Sequence, residues 1–245
     1  MLSHLPLPLP SILPLELRPF FKNYIYLGLS KTHRIGVFPS VNLQKHTILA
    51  SFPLTSAPHP TLSSSSSPPS LDLLQDSTCE TDKQTVTTAE WLLHEFSLNT
   101  KSKYYHWIQL LPTHDFSHLF FDRKLEELEY GADLGLRRET VDRHYQMYSL
   151  IHPDISLSQY QWAIAVVVSR SYDDDGNRYL LPGLDFMNHC NDGNQNQVDV
   201  DIFDGFIFIV SRKAHQKDKE LCINFSTEPK MSRKDATLQY GMDLQ

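Results

Sequence analysis

The first part of the chain alternates apolar and polar residues in two short stretches. Residues 24–28 and 36–53 are rich in apolar and β-branched side chains, with a polar segment at residues 30–34 between them. A period of two places successive side chains on opposite faces of a strand. The pattern predicts short strands joined by a turn within residues 24–54, preceded by a Pro- and Leu-rich arm over residues 1–22 that is packed or loose.

The alternation ends at residues 56–70, which are dominated by serine and proline. Such a segment buries too little apolar surface to offset the conformational entropy lost on ordering. We therefore predict a disordered loop here.

Helical periodicity follows over residues 75–155. Thr87 and Glu90 have the spacing of a capping box ahead of the apolar run at residues 91–96. Leucines and tyrosines then recur among charged residues over 121–150, which is typical of successive amphipathic helices. The sequence predicts a helical insert over residues 75–155.

The last third of the chain returns to a β pattern. An apolar helix is predicted over residues 160–168, and residues 198–210 alternate on both sides of Asp204-Gly205. An Asp-Gly pair accepts positive φ at both positions, which favours a type I′ hairpin. Residues 221–225 predict a short buried strand.

Composition narrows the class of partner. The chain has 245 residues, 40% of them hydrophobic, which is enough for one full core. Its net charge of −7 argues against nucleic acid, because phosphate binding requires clustered Lys and Arg. A protein or peptide partner suits this charge better.

His114 and His118 have a spacing typical of metal ligands on a helix, but Pro112 argues against such a helix, so no metal is predicted.

The cysteines and the N-terminus predict a location. Cys79, Cys190 and Cys222 are widely spaced and form no C-x-x-C pair. They predict free thiols in a reducing compartment rather than a disulfide framework. No run approaches the roughly 18 apolar residues of a membrane-spanning helix, and residues 1–22 lack the basic region of a signal peptide. We predict a cytoplasmic or nuclear protein that does not bind membranes.

Candidate chemistry lies where apolar runs stop at polar residues. Residues 180–187 end at Asn188-His189, which places an amide and an imidazole at the mouth of a core element. These groups either hold a ligand or cap a strand end. Arg170 also follows an apolar run, and its charge requires a carboxylate, either that of a ligand or that of Asp185.

The chain also carries short motifs in a defined order from its first strands to its end. They are residues 34–38, 41–53, 102–112, 161–170, 180–190, 219–225 and the closing Tyr240-Gly241. In this order they resemble the SET-domain protein methyltransferases of the RuBisCO large-subunit methyltransferase-like branch. The resemblance implies an α+β protein, namely a β-rich SET fold with a helical insert.

The resemblance implies a single SET domain over residues 1–245. Its expected parts are the arm at 1–22, the N-terminal SET strands at 24–54, the disordered loop at 56–70, the helical insert at 75–155 and the SET core at 160–245. The family's C-terminal substrate-binding domain is not expected, since the sequence ends at Gln245, soon after Tyr240-Gly241.

The same resemblance implies an enzyme. It would be a protein-lysine N-methyltransferase that uses S-adenosyl-L-methionine and acts, as a monomer, on a protein or peptide substrate, with a histidine target left open. The expected cofactor-binding residues are Arg34, Ile35, Gly36, Arg170, Asn188 and His189.

The expected catalytic positions are Tyr240, Asp185 and Phe225. By resemblance, Tyr240 lies against the methyl group and the target nitrogen, although an aromatic core residue has the same appearance in a sequence. Asp185 would line the lysine channel or fix neighbouring groups. Phe225 stands where the family usually has a tyrosine, and losing one oriented oxygen typically costs about a hundredfold in rate.

Two departures from the family pattern favour an alternative function. Phe225 lacks the usual hydroxyl, and Arg34 replaces the first glycine of the family's Gly-x-Gly turn. The alternative is a catalytically weak or inactive SET-fold module that binds a peptide in the same groove.

Overall fold

The computed structural model describes residues 6–30, 35–56, 80–112, 131–174, 177–190 and 197–223. Helices and small, mostly antiparallel sheets make up these residues, so the predicted α+β class is confirmed. By mutual contacts the chain divides into two compact units. The first comprises Met1–Pro58, Thr100–Leu110 and Leu181–Met231, and the second comprises His59–Asn99, Leu111–Leu180 and Ser232–Gln245.

Some predictions fall outside the described residues. They concern the turn at 31–34, the loop at 57–70, Cys79, the stretch at 113–130 with His114 and His118, and everything from residue 224 onward.

The first sheet of the first unit contains β1 (Leu7–Pro8), β2 (Ile25–Leu29) and β3 (Ile35–Pro39) in the order β1-β2-β3. All neighbouring strands are antiparallel. The β2–β3 pair confirms the strands predicted from the alternation near the N-terminus. The arm that precedes β2 is packed, because most of its apolar side chains, among them Leu9, Leu13 and Leu17, are buried.

The second sheet joins β4 (Ile48–Pro53) to the hairpin of β8 (Val198–Phe203) and β9 (Phe206–Ser211), in the order β4-β9-β8. Asp204 and Gly205 have φ angles of 50° and 73° at the hairpin turn. This geometry confirms the hairpin that the Asp-Gly pair predicted.

A short parallel pair, β7 (Asn188–His189) and β10 (Cys222–Ile223), completes the first unit. The pairing brings Cys190 and Cys222 together in a disulfide with a Cα–Cα distance of 5.6 Å. The prediction of free thiols was therefore wrong for these two cysteines. The contact is not visible in the sequence, because the two cysteines are separated by 32 positions and come together only through strand pairing. The argument for a reducing compartment loses this support.

The described residues of the second unit form the helices α1 (Glu80–Ser97), α3 (Gly131–Ile151) and α4 (Leu157–Arg170) and the hairpin of β5 (Ser171–Asp174) and β6 (Asn177–Leu180). A further short helix, α2 (Tyr105–Ile108), belongs to the first unit. Residues 160–180, which the sequence assigned to the SET core, cluster with the second unit.

The helix starts differ from the prediction. Thr87 lies inside α1, and its hydroxyl donates to the carbonyl of Lys83 at 2.8 Å, so the predicted capping box at Thr87 was wrong. A capping box does precede α4, where Ser156 and Gln159 exchange side-chain and backbone hydrogen bonds. Their spacing is the same four-residue signature, ahead of the apolar helix that the sequence did predict.

Aromatic side chains pack the helices of the second unit. The rings of Phe96 and Trp162 are 5.2 Å apart, and those of Tyr148 and Tyr160 are 5.3 Å apart. Burial, reinforced by the charge of Glu90, raises the pKa of Tyr148 to about 12 and that of Tyr160 still further. Among the described helices, none combines the length and apolar character needed to cross a membrane.

Candidate functional site

The predicted ligand residue Asn188 lies next to a carboxylate. Its Nδ2 donates a short hydrogen bond to Oε1 of Glu220, just before β10. The other carboxylate oxygen of Glu220 accepts from the hydroxyl of Ser30 at 2.7 Å, and the Ser30 residue is buried. Three segments that are far apart in sequence thus meet at one partly buried acid.

Gly36 of β3 lies against the same oxygen. A Cβ added at Gly36 would come within 2.5 Å of Oε1 of Glu220, so no side chain fits without moving the acid. Backbone pairing explains the approach, because Leu221 donates to the carbonyl of Val37 at 2.7 Å and Cys222 pairs with Asn188 in β7. The structure therefore brings together Gly36 and Asn188, two of the predicted cofactor-binding residues, and places Ile35 beside them on β3.

An aromatic ring borders this point. A Cβ at Gly36 would lie 3.3 Å from Cε2 of Phe38, and Phe38 stacks on Tyr26 with 5.6 Å between ring centroids. The Tyr26 hydroxyl donates to Asp218 at 3.0 Å, and its pKa is raised by burial and by that carboxylate. A carboxylate, an amide and an aromatic ring around a bare backbone are groups that suit a cationic or heteroaromatic ligand.

Asp185, predicted to line a lysine channel, is engaged inside the first unit. Its Oδ2 accepts from the indole Nε1 of Trp107 at 2.6 Å, and its Oδ1 accepts from the backbone N–H of Gly183 at 2.7 Å. Asp185 is 1% exposed and Trp107 is fully buried. These contacts agree with the alternative that Asp185 fixes neighbouring groups, and the channel role stays a prediction.

The remaining predicted site residues are not part of this cluster as described. Arg170 ends α4 in the second unit. Outside the described residues lie Arg34, Phe225, Tyr240 and the side chain of His189. Their predicted roles stay predictions.

Sequence reasoning missed Glu220. It follows the charged stretch from Lys217 to Lys219, so it has the appearance of a solvated surface residue. A clue was alternation, since Leu221 and Ile223 are buried and Glu220 comes directly before Leu221 in the chain.

Comparisons with known proteins identify the fold. No protein-family model matches the sequence, and no curated protein does so. A solved structure of the SET domain of LSMT bound to lysine and AdoHcy matches with a TM-score of 0.70 and 15% identity, over 94% of this chain and 55% of that one. The chain has a SET-domain fold. A structure of Rubisco LSMT bound to AdoMet matches with the same score and identity, over 90% of this chain and 52% of that one.

The SET fold confirms the architecture that the sequence motifs implied. This chain spans about half the length of the solved structures that it matches. At 15% identity the likeness concerns the fold, and the roles of individual side chains rest on the contacts described above.

Proposed function

We propose that this SET-fold chain binds S-adenosyl-L-methionine and transfers its methyl group to a lysine side chain of a protein or peptide substrate. Two solved structures with this fold support the proposal, one bound to lysine and AdoHcy and one bound to AdoMet. One observation in this chain carries the proposal: Asn188, Glu220 and Gly36 meet. The polar side chains of Asn188 and Glu220 lie beside β3 at Gly36, where the strand has no side chain.

These residues fit the cofactor. The absence of a side chain at Gly36 leaves room for Oε1 of Glu220, so the carboxylate lies close to β3, beside the backbone of Ile35 and Gly36 that we propose contacts the ligand. Asn188 and Glu220 would hold the amino-acid end of the cofactor by hydrogen bonds. When bound, S-adenosylmethionine supplies an activated methyl group on a sulfonium that leaves as a neutral thioether.

The chain's own contribution would be placement. A methyl transfer requires the acceptor nitrogen and the methyl carbon to be aligned and water to be kept away, and it requires no metal. We propose that Tyr240 lies at the acceptor nitrogen and that Phe225 makes the reaction slow, because one oriented oxygen is missing. Arg34, Arg170 and His189 complete the proposed cofactor site.

We further propose that the protein acts as a monomer in the cytoplasm or nucleus, on a lysine or, as the second target, a histidine. The Cys190–Cys222 disulfide opposes this location, because disulfides are rare in the reducing cytosol and nucleus and persist in oxidising compartments. Fractionation of cells that express a tagged chain tests the location.

Isothermal titration with S-adenosylmethionine and S-adenosylhomocysteine tests binding directly. We expect the wild type to bind both, and Asn188→Ala to lose binding while keeping the far-UV circular dichroism spectrum of the wild type. Asn23→Ala is the matched control, since Asn23 is an exposed asparagine of the same unit. Equal affinities for the wild type and a folded Asn188→Ala variant contradict the proposed site.

Turnover is tested separately, with a radiolabelled methyl group and libraries of peptides and proteins. The proposal predicts slow labelling by the wild type and faster labelling by Phe225→Tyr, which restores an oriented hydroxyl. A wild type and a Phe225→Tyr variant that both bind cofactor but label no substrate favour the peptide-binding module instead.

A further inference from the structure

The orientation of the Asn188 amide is determined by its neighbour. An asparagine side chain has one end that donates and one that accepts, and a sequence does not reveal which end faces a ligand. Here the NH2 end must face Glu220, because a carboxylate accepts hydrogen bonds and repels a carbonyl oxygen. The oxygen Oδ1 of Asn188 therefore remains as the acceptor.

Glu220 adds a negative charge at the same point. Its carboxylate receives one hydrogen bond from Asn188 and one from Ser30. A carboxylate offers about four acceptor positions, so acceptor capacity remains on both oxygens. The site thus presents the carbonyl oxygen of an amide and a partly buried carboxylate, two acceptors that complement a positively charged donor.

We propose that Glu220, together with Oδ1 of Asn188, recognises the α-ammonium group of the cofactor's amino-acid end. This inference rests on the proposed function and names one of its binding residues. The ammonium group carries three N–H donors and a positive charge, so it can donate to Oδ1 of Asn188 and to the carboxylate of Glu220 at the same time. Glu220 also positions Asn188, since its carboxylate holds the amide with the carbonyl outward. Gly36 allows this arrangement by leaving room for Oε1.

An acid that recognises an ammonium group can be distinguished experimentally from an acid that only holds strands together. A structural acid would affect every ligand of the site alike, because its loss would disturb the cradle as a whole. A residue that recognises an ammonium affects only those ligands that carry one. Two ligands that differ in this group alone distinguish the cases: S-adenosylhomocysteine and its deamino analogue, in which hydrogen replaces the α-ammonium.

Isothermal titration of both ligands to the wild type and to Glu220→Gln is the test. The glutamine keeps the size of the side chain and removes its charge. We expect the affinity for S-adenosylhomocysteine to fall about 10- to 100-fold, as for a lost charged hydrogen bond, and the affinity for the deamino analogue to change less than about threefold. Asp201→Asn, which neutralises an exposed carboxylate of the same unit, should change neither affinity.

The outcomes distinguish this inference from the function on which it rests. A wild type that binds S-adenosylhomocysteine, with Glu220→Gln binding it equally well, overturns the role of Glu220 and leaves the proposed function intact. Equal losses for both ligands also overturn it, in favour of a structural acid. A wild type that binds neither S-adenosylmethionine nor S-adenosylhomocysteine overturns the proposed function, and this inference falls with it.

Discussion

Replacement of Trp107 by phenylalanine should destabilise the protein chiefly through one hydrogen bond. The indole N–H donates to Asp185 at 2.6 Å, and both residues are buried. Hydrogen bonds to charged groups contribute about 1.5 to 3 kcal/mol to stability, about twice as much as neutral ones. Trp107→Phe also shortens a fully buried side chain and leaves a buried carboxylate oxygen without this donor. We therefore expect the free energy of unfolding to fall by about 2 to 4 kcal/mol in total.

A double-mutant cycle separates the hydrogen bond from the loss of packing. Trp107→Phe, Asp185→Ala, which removes the acceptor, and the double variant are unfolded in urea and followed by far-UV circular dichroism. The coupling energy between Trp107 and Asp185 should be about 1.5 to 3 kcal/mol. For a chain of this length, each 1 kcal/mol shifts Tm by about 2 to 4 °C, so the hydrogen bond accounts for a shift of roughly 3 to 12 °C.

Trp162→Phe is the matched control for this experiment. Trp162 is also buried, but its indole donates to the carbonyl of Pro112, which is a neutral acceptor. Its hydrogen bond should contribute only about 1 kcal/mol. A coupling energy below about 0.5 kcal/mol for Trp107 and Asp185 refutes the reasoning, since the hydrogen bond to the carboxylate would then be no stronger than a neutral one.

The remaining predictions concern a covalent bond and a pH dependence. If Cys190 and Cys222 form the disulfide, a thiol reagent should label only Cys79 in the protein unfolded in denaturant. The free energy of unfolding of the Cys190→Ser/Cys222→Ser variant should be lower than that of the wild type by about 3.7 kcal/mol, the loop-closure entropy of a 32-residue loop. Labelling of all three cysteines without reductant contradicts the disulfide. Because the pKa of Tyr148 is raised from 10.0 to about 12, the unfolded state ionises first, so the free energy of unfolding should fall between about pH 10 and 12. Tyr148→Phe should lessen that fall, and an equal fall in the variant counts against the raised pKa.

Local patterns predicted the elements that depend on local physics. The alternation of residues 24–28 with 36–53 gave strands because a half-buried strand must alternate, whatever its partner. Asp204-Gly205 predicted its hairpin because only certain residues accept positive φ at both turn positions. The apolar run at 160–168 also predicted its element, a helix. The helix α4 begins at Leu157, three residues before the predicted start.

The capping boxes show where a local pattern is not sufficient. Thr87 and Glu90 have the right residue types and spacing, as have Ser156 and Gln159, but only the latter pair stands at a helix start. In the interior of α1 the Thr87 hydroxyl finds a carbonyl one turn earlier instead. The choice depends on how far the helix extends before the motif, which the motif itself does not contain.

The candidate site depends on contacts that no local pattern contains. Its amide comes from β7, its acid from the segment just before β10, and its glycine from β3. A parallel pairing joins β7 to β10, and the backbone contact of Val37 and Leu221 joins β3 to this segment. The apolar run that stops at Asn188 was enough to predict a polar site. It was not enough to predict Glu220, because a charged residue after Lys219 is most often solvated.

The identity of the neighbour changes the chemistry that Asn188 can perform. As a residue in a sequence, an asparagine suits a ligand carboxylate and a ligand ammonium equally well, because it donates and accepts. Because Glu220 accepts an N–H of the Asn188 side chain, the NH2 end of the amide faces the acid and its carbonyl oxygen faces away, and the point where β3, β7 and β10 meet carries a negative charge. A ligand carboxylate at that point would face the carbonyl oxygen of Asn188 and the carboxylate of Glu220 and would be repelled, whereas a ligand ammonium would be attracted by both. The acid, which no sequence pattern singled out, thus decides which end of an amino-acid group can lie beside Asn188.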